Sequence, residues 1–267
     1  MTLESVFQTL RPCDEAALIA YMTAGFPTLD ASIDNMRRLA ENGADILEIG
    51  IPFSDPIADG PTIQFASKNA LDHGFRLSDL LDALRAARFD RPVVAMSYLN
   101  PLLAWDRDRL FHRMRDVGIV GLIVPDLPIT EADGWIDAAR ASDIHIIHLV
   151  APTSTPDRIR RIADKSTAFV YYVSVTGTTG GRDRLPDGLT AALDALRASS
   201  PVPVAVGFGI SRPEQIRQLH GHADAVVVGS RFIEAVRDHE PLDELVSSLK
   251  QATRSVNHAR GHEKGRV

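Results

Sequence analysis

The chain has 267 residues, of which 45% are hydrophobic and 24% are charged, as in an ordinary globular protein. Its 29 basic and 35 acidic residues give a net charge of −6, which argues against a nucleic-acid-binding surface. The single cysteine, Cys13, excludes an internal disulfide and a cysteine-based metal site. No apolar run approaches the ~20 residues of a membrane span. The first residues lack the pattern of a secretory signal, so we expect a cytoplasmic protein.

Eight short apolar runs recur along the chain and predict β-strands. Because these runs are nearly continuous rather than alternating, they favour strands that are buried on both faces, as in a parallel sheet. The predicted strands cover residues 17–24, 44–51, 92–98, 121–126, 145–152, 168–175, 203–210 and 225–230.

Helical patterns separate the strands. They cover residues 31–41, 77–87, 107–117, 131–141, 156–163, 188–198, 213–219 and about 242–255, and a further helix is predicted over about 3–10. Eight alternating units predict an α/β fold, a single (β/α)8 TIM barrel with an extra N-terminal helix, over residues 1–257. An open Rossmann-type sheet is the alternative, but the first strand is followed by AGFPTLD and not by GxGxxG. We expect the polar segment 258–267 to be disordered.

Two acids accompany the end of the second strand. Glu48 lies within the apolar run, where loss of hydration raises the pKa of a carboxyl group and suits it to proton transfer near neutral pH. Asp59 follows in a loop that three prolines stiffen. Active sites of such barrels lie at the carboxyl ends of the strands, so both acids are catalytic candidates. A structural ion pair of Glu48 with a buried arginine or lysine is the alternative, and Asp55 is more typical of a turn.

Glycine-rich segments follow the last three predicted strands, at residues 174–186, 207–211 and 229–231. Backbone N–H groups beside glycine can approach an anion closely, and the loops after the seventh and eighth strands of a barrel often bind phosphate. Ser230 adds a hydroxyl beside Gly229, although such a serine can also simply cap a helix. The sequence therefore predicts a phosphate site here, with residues 174–186 as a lid.

Aromatic side chains at the strand ends would suit a flat apolar ligand. These residues are Tyr21, Tyr98, Tyr171, Tyr172 and Phe208. His145 and His148 are interpreted as packed core or surface histidines and not as ligands, and no metal-ligand spacing is present, so no metal is predicted. The composite is a site with two acids at one end, an apolar slot, and a phosphate at the other end.

Motifs along nearly the whole chain resemble the tryptophan synthase alpha chain family. They include EIGIPFSDPIADGPTIQ (48–64), MSYLNPLL (96–103), GLIVPDLP (121–128), LVAPTSTPDRI (149–159), YYVSVTGTTG (171–180), VGFGIS (206–211) and VVGSRF (227–232). The motif after the second strand is highly specific, whereas the glycine motifs fit several phosphate-binding barrels.

The resemblance implies a carbon–carbon lyase that cleaves indole-3-glycerol phosphate to indole and glyceraldehyde 3-phosphate. Glu48 would protonate the indole ring and take the proton of the neighbouring glycerol hydroxyl. Asp59 would accept the indole N–H and stabilise the charge on the ring. The implied substrate-binding residues are Tyr21, Met96, Tyr98, Tyr171, Thr179 and Phe208, and the implied phosphate-binding residues are Gly180, Gly209, Gly229 and Ser230.

The resemblance also implies a beta-chain partner, in a heterotetramer of two alpha and two beta chains, with segments 54–61 and 100–106 near the contact. Pyridoxal phosphate would belong to the beta chain, and none is expected in this chain. Val175 and segments 102–106 and 129–131 depart from the family pattern. The alternatives are a stand-alone lyase that releases free indole, a non-catalytic barrel that activates a partner, and another phosphate-binding barrel enzyme such as a sugar-phosphate isomerase.

Overall fold

The structure, a computed structural model, describes residues 1–173, 185–207 and 209–255. Within these ranges, nine parallel strands form one sheet in the order β5-β4-β3-β2-β1-β9-β8-β7-β6. The strands are β1 (Ala17–Thr23), β2 (Ile46–Gly50), β3 (Val93–Met96), β4 (Ile119–Ile123), β5 (His145–Ile147), β6 (Leu149–Val150), β7 (Val170–Val173), β8 (Val204–Gly207) and β9 (Ala225–Val228).

The two ends of the sheet order meet in one stretch of chain, which closes the sheet into a barrel. Strands β5 and β6 are separated only by His148; β5 pairs with β4 and β6 pairs with β7. The Tyr171 N–H donates to the His148 carbonyl at 3.1 Å, so pairing with β7 continues across the break. The predicted single strand over 145–152 is therefore wrong in detail, but the predicted eight-position barrel is confirmed.

Helices surround the barrel. They are α1 (Leu3–Leu10), α2 (Leu29–Glu41), α3 (Pro61–Asp72), α4 (Leu77–Ala87), α5 (Leu99–Leu103), α6 (Arg107–Asp116), α7 (Asp133–Ala141), α8 (Pro156–Lys165), α9 (Leu189–Ser199), α10 (Pro213–Gln218), α11 (Ser230–Arg237) and α12 (Leu242–Ala252). The sequence patterns place nine of them within a few residues of their observed ends, but they miss α3, α5 and α11.

The sequence pattern does not predict helix α3, because this helix begins inside a segment rich in proline and glycine. Gly60 precedes the helix and forms no side-chain cap, and Pro61 occupies the first helical turn. Proline suits that position because the first N–H groups of a helix have no partner within the helix. The same residues that stiffen the Asp59 loop therefore also start the helix that follows it.

Alternation along the strands separates an inner core from an outer core. Ile19 and Ile46 pack inside the barrel, whereas Leu18 and Leu47 pack against the helices. The amino-terminal end of the barrel is closed by α1, whose Leu3, Val6 and Phe7 join the inner core. Burial of each such side chain stabilises the fold by about 1.5–3 kcal/mol. The extra N-terminal helix therefore contributes to stability, and it covers the end of the barrel opposite the predicted site. Among the described residues, no helix has the length and apolar character needed to cross a membrane.

Candidate active site

A cavity opens at the carboxyl end of the barrel strands. Its described lining combines predicted residues with others from the strand ends and from α3 and α11. The lining residues are Tyr21, Glu48, Asp59, Ile63, Met96, Tyr171, Gly209, Ile210, Ser211, Val227, Gly229, Ser230, Arg231 and Glu234. The structure thus brings together the predicted acids, two of the predicted tyrosines and part of the predicted phosphate site.

Glu48 points into this cavity from the middle of β2, in register with Tyr21 on β1. The side chain is 1% exposed, and its Oε2 atom has no hydrogen-bond partner among the described residues. Burial, with a further contribution from the nearby charge of Asp59, raises the pKa of Glu48 to about 8. The carboxyl group is therefore mainly protonated at neutral pH, and one of its oxygens receives no hydrogen bond from the described residues. The alternative of a structural ion pair has no support, since no cation contacts Glu48 among the described residues.

Asp59 lies in the loop between β2 and α3, and backbone contacts hold that loop. The Asp59 N–H donates to the Pro56 carbonyl at 3.1 Å, and the Gln64 side-chain amide donates to the Asp59 carbonyl at 2.8 Å. Burial raises the pKa of the Asp59 carboxyl to about 6, against a lowering contribution from the Tyr98 hydroxyl. At pH 7 Asp59 is therefore mainly ionised while Glu48 is protonated.

Tyr98 braces the Asp59 loop. Its hydroxyl accepts the Ala58 N–H at 2.8 Å and lies close enough to the Asp59 carboxylate to lower the pKa of that group, and its ring packs against Phe53 at 5.3 Å. The next residue is also fixed, because the Leu99 N–H donates to Asp126 Oδ1 at 2.8 Å. Tyr98 is not part of the described cavity lining. No local sequence pattern indicates this contact with the loop, and substrate contact by Tyr98 stays a prediction.

The phenol rings of Tyr21 and Tyr171 form two walls of the cavity, and each lies over a glycine of a neighbouring strand. A Cβ atom at Gly50 would lie 2.0 Å from the Tyr21 hydroxyl, and one at Gly207 would lie 2.3 Å from the Tyr171 hydroxyl. Burial raises the pKa of both phenols well above its ordinary value, so the walls are neutral. Tyr172 is different: it is absent from the described lining of the cavity, because neighbouring residues of a strand face opposite sides and Tyr171 faces inward. Its prediction as a wall is therefore wrong.

The lining of the cavity also contains the predicted phosphate residues that the structure describes. Gly209 has a φ of 89°, which favours glycine, and Gly229 immediately precedes α11, whose first residue is Ser230. On the same helix, Glu234 accepts a hydrogen bond from the Thr62 hydroxyl at 3.2 Å, which ties α11 to α3. Thr179, Gly180 and Phe208, together with Val175 and the 258–267 tail, lie outside the described residues.

Several lining residues were not anticipated from the sequence. Ile63 and Glu234 lie on helices that the patterns missed, so no sequence signal placed them at the site. Arg231 follows directly after the Gly-Ser pair, and that position was a usable signal. Among the described residues, no group of three His, Cys, Asp or Glu side chains is arranged to hold a metal ion.

His145 and His148 lie away from this cavity. His145 bonds to the Thr167 hydroxyl at 2.9 Å and to Glu4 at 3.0 Å, and thereby links α1 to the barrel. His148 is buried, and burial with the nearby charge of Lys165 lowers its pKa to about 4. His148 is thus a core residue and His145 a partly exposed one, and neither lines the described cavity.

Comparison with known proteins assigns the family. A sequence profile described as tryptophan synthase alpha chain matches residues 7–263. The tryptophan synthase alpha chain of Microcystis aeruginosa is 42% identical over 256 residues, which cover 95% of this chain and 97% of that protein. The alpha chain of a Synechocystis strain is 41% identical over 242 residues, which cover 90% of this chain and 92% of that protein.

Solved structures agree with this assignment. A chain of Mycobacterium tuberculosis tryptophan synthase superimposes with a TM-score of 0.89 at 38% identity, covering 95% of this chain and 98% of that one. The tryptophan synthase subunit alpha of Legionella pneumophila gives a TM-score of 0.83 at 32% identity, covering 95% and 98%. With the barrel and the cavity described above, these matches show that the chain belongs to the tryptophan synthase alpha chain family.

Proposed function

We propose that this chain cleaves indole-3-glycerol phosphate to indole and glyceraldehyde 3-phosphate, with Glu48 and Asp59 as its catalytic pair. Membership in the family makes it a lyase of tryptophan biosynthesis. The observation that carries the assignment of roles is the different state of two acids in one cavity. Glu48 is a buried acid with a pKa of about 8, and Asp59 is an acid with a pKa of about 6. Such separation is typical of a proton donor beside an anionic stabiliser.

The first step uses both acids in these states. Protonated Glu48 gives its proton to the indole ring carbon that bears the glycerol chain, which leaves the ring positively charged. Ionised Asp59 accepts a hydrogen bond from the indole N–H and stabilises that charge, because a buried carboxylate interacts strongly with a nearby cation. The brace from Tyr98 keeps the Asp59 carboxylate in place for this contact.

The second step breaks the carbon–carbon bond. Glu48, now a carboxylate, takes the proton of the hydroxyl next to the ring. The electron pair of the O–H bond forms the aldehyde, and the pair of the carbon–carbon bond returns to the ring and neutralises it. The products are indole and glyceraldehyde 3-phosphate, and Glu48 is protonated again. The ring itself is the electron sink, and the family works without a cofactor in the alpha chain.

The remaining lining residues would hold the two halves of the substrate. The neutral rings of Tyr21 and Tyr171, with Met96, provide an apolar slot for indole. Gly209, Gly229 and Ser230 lie where the phosphate would be bound by backbone N–H groups and a hydroxyl. We place Thr179, Gly180 and Phe208 in the same site on the family resemblance alone.

The family implies a beta-chain partner, which carries pyridoxal phosphate. We propose that the partner binds the face around the cavity mouth, in a heterotetramer of two alpha and two beta chains. Large apolar side chains are exposed on that face: Ile57 in the Asp59 loop is 83% exposed, and Leu103 on α5 is 61% exposed. Such side chains are suited to a partner surface. A cytoplasmic location accords with this role in amino-acid synthesis.

The test is indole release from indole-3-glycerol phosphate by the purified chain, with and without a tryptophan synthase beta chain. We expect slow cleavage by the chain alone and a sharp increase on addition of the beta chain, which Ile57→Asp and Leu103→Asp weaken. Rapid cleavage that is indifferent to the beta chain would instead identify a stand-alone lyase. Absence of cleavage in both conditions would contradict the proposed reaction.

A further inference from the structure

The charges around the cavity pose a problem for a phosphate substrate. Glu48, Asp59 and Glu234 bring three carboxyl groups to the lining. Glu48 is protonated at neutral pH and adds no charge, but Asp59 is mainly ionised. A phosphate monoester carries about −1.5 to −2 charges at pH 7. Among the described lining residues, Arg231 is the only lysine, arginine or histidine. Any neutralisation of the phosphate by a side chain from this part of the lining must therefore come from Arg231.

The position of Arg231 allows this contact. It is the second residue of α11, directly after Ser230, so its backbone borders the predicted phosphate site. An arginine side chain is longer than the distance between neighbouring Cα atoms, which is about 3.8 Å. Arg231 also lines the same cavity as Gly229 and Ser230, so an anion bound at those residues lies within the range of its long side chain.

The present partner of Arg231 is one that it can exchange. Its Nη2 atom bonds to Glu240, in the loop between α11 and α12, and Glu240 is its only hydrogen-bond partner among the described residues. The side chains of Arg231 and Glu240 are 23% and 40% exposed, so water can replace either partner. Exposed ion pairs contribute little, whereas a guanidinium group binds phosphate with two parallel hydrogen bonds.

We propose that Arg231 is a phosphate-recognition residue of this chain, and that it exchanges Glu240 for the phosphate group when the substrate binds. The inference rests on the proposed function, because it concerns the same cavity and the same substrate. It adds a cation to a site otherwise built from glycines and a serine, and it makes Glu240 a competitor of the substrate.

Substitutions of the two partners of the ion pair should therefore have opposite effects on phosphate binding. Arg231→Ala should weaken binding of glycerol 3-phosphate about tenfold, and Arg231→Lys should restore part of it. Glu240→Gln frees the arginine and should strengthen binding about twofold to threefold, in accordance with the modest strength of an exposed pair. If the ion pair has only a structural role, both Arg231→Ala and Glu240→Gln should weaken binding alike.

The experiment is titration calorimetry of the full chain with glycerol 3-phosphate, followed by KM and kcat for indole-3-glycerol phosphate in the presence of a beta chain. Arg237→Ala is the matched control, since Arg237 lies on the same helix and pairs with Asp238 away from the cavity. We expect the Arg231→Ala effect to appear mainly in KM. Equal affinities for the wild type and Arg231→Ala would overturn the inference.

A further variant separates this inference from the proposed function. Gly229→Asp places a carboxylate at the predicted phosphate site. If Gly229→Asp weakens glycerol 3-phosphate binding and Arg231→Ala does not, the phosphate site stands and the role of Arg231 is wrong. If neither variant changes binding, the phosphate site itself is wrong, and both proposals fail at this end of the cavity.

Discussion

Acidic side chains are buried at both ends of this barrel, but their hydrogen-bond and charged partners differ. At the amino-terminal end, Lys250 on α12 lies 2.6 Å from both Glu15 and Asp45, and all three side chains are 11–13% exposed. Asp45 also accepts the Leu18 N–H at 2.7 Å. At the carboxyl end, Glu48 has no cation beside it, and its Oε2 atom has no hydrogen-bond partner among the described residues.

The comparison shows what distinguishes a structural acid from a reactive one. Burial raises the pKa of Asp45, but Lys250 and the Leu18 N–H oppose that rise. For Glu48 both contributions act in the same direction, because the neighbouring charge is the carboxylate of Asp59. An acid with its partners in place stabilises the fold, whereas an acid without them is available to a substrate at a cost in stability.

The largest expected effect comes from removal of the reactive acid. Glu48→Gln should lower turnover by ~10²–10⁴, the usual contribution of a general acid–base group. The fold should remain because glutamine is nearly isosteric. The measurement is indole release at saturating substrate with a beta chain present. The matched variant is Glu15→Gln, which should lower stability and leave turnover per folded molecule near that of the wild type. Lost turnover in Glu15→Gln together with normal turnover in Glu48→Gln would contradict the distinction between the two acids.

The Glu48→Gln variant also tests how the raised pKa of Glu48 affects the free energy of unfolding. A carboxyl group whose folded pKa is raised contributes stability below its ordinary pKa, and that stability is lost as pH rises through the folded pKa. For Glu48 the window runs from 4.5 to about 8. Glu48→Gln should therefore gain about 3–5 kcal/mol over the wild type between pH 5 and pH 8.5, from the shift of the pKa. Urea unfolding at both pH values measures this gain, and parallel curves for the two proteins would argue against it.

Loss of the cation at the other end should destabilise the fold. Lys250→Met leaves two buried acids without their shared partner, and we expect a loss of about 3 kcal/mol in the free energy of unfolding. Lys68→Met is the control, because the Lys68–Asp72 pair on α3 is exposed and worth at most about 0.5 kcal/mol. Urea unfolding compares the two, and equal losses would show that burial of the network adds nothing.

A smaller effect is expected where a glycine makes room for a cavity wall. The Cβ atom of Gly50→Ala would displace the Tyr21 ring, so we expect about 1–3 kcal/mol of destabilisation together with weaker substrate binding. Gly74→Ala is the comparison, because Gly74 has a φ of 78° and open space around it. Gly74→Ala should lower the temperature of thermal unfolding through backbone strain alone, and its KM should be unchanged. A normal KM for Gly50→Ala would mean that the Tyr21 ring does not shape the substrate slot.

The sequence was sufficient for those parts of the molecule that depend on local pattern. Continuous apolar runs predicted the strands, and the position of Glu48 within one of them predicted a buried carboxyl group at the site. The glycines that follow the last strands were found in the same way, because the carboxyl ends of parallel strands meet on one face of a barrel.

The features that were missed depend on contacts between distant segments. The Tyr98 hydroxyl reaches a loop 40 residues away, and no local pattern records that hydrogen bond. The sequence does not decide whether Glu48 forms an ion pair, for the same reason. Only the fold shows that no cation among the described residues contacts it. The prediction for Tyr172 is wrong because the sequence alone does not show which of two adjacent tyrosines points into the barrel. The orientation of β7 decides this, and it directs Tyr171 inward and Tyr172 outward.

The most direct test is the pH dependence of kcat/KM for indole cleavage by the chain in complex with a beta chain. The reactive state needs ionised Asp59 and protonated Glu48, so we predict a bell-shaped profile for the pair, with apparent pKa values near 6 and near 8. A rate that keeps rising above pH 8 would contradict the account, because it would mean that Glu48 begins the reaction as a carboxylate.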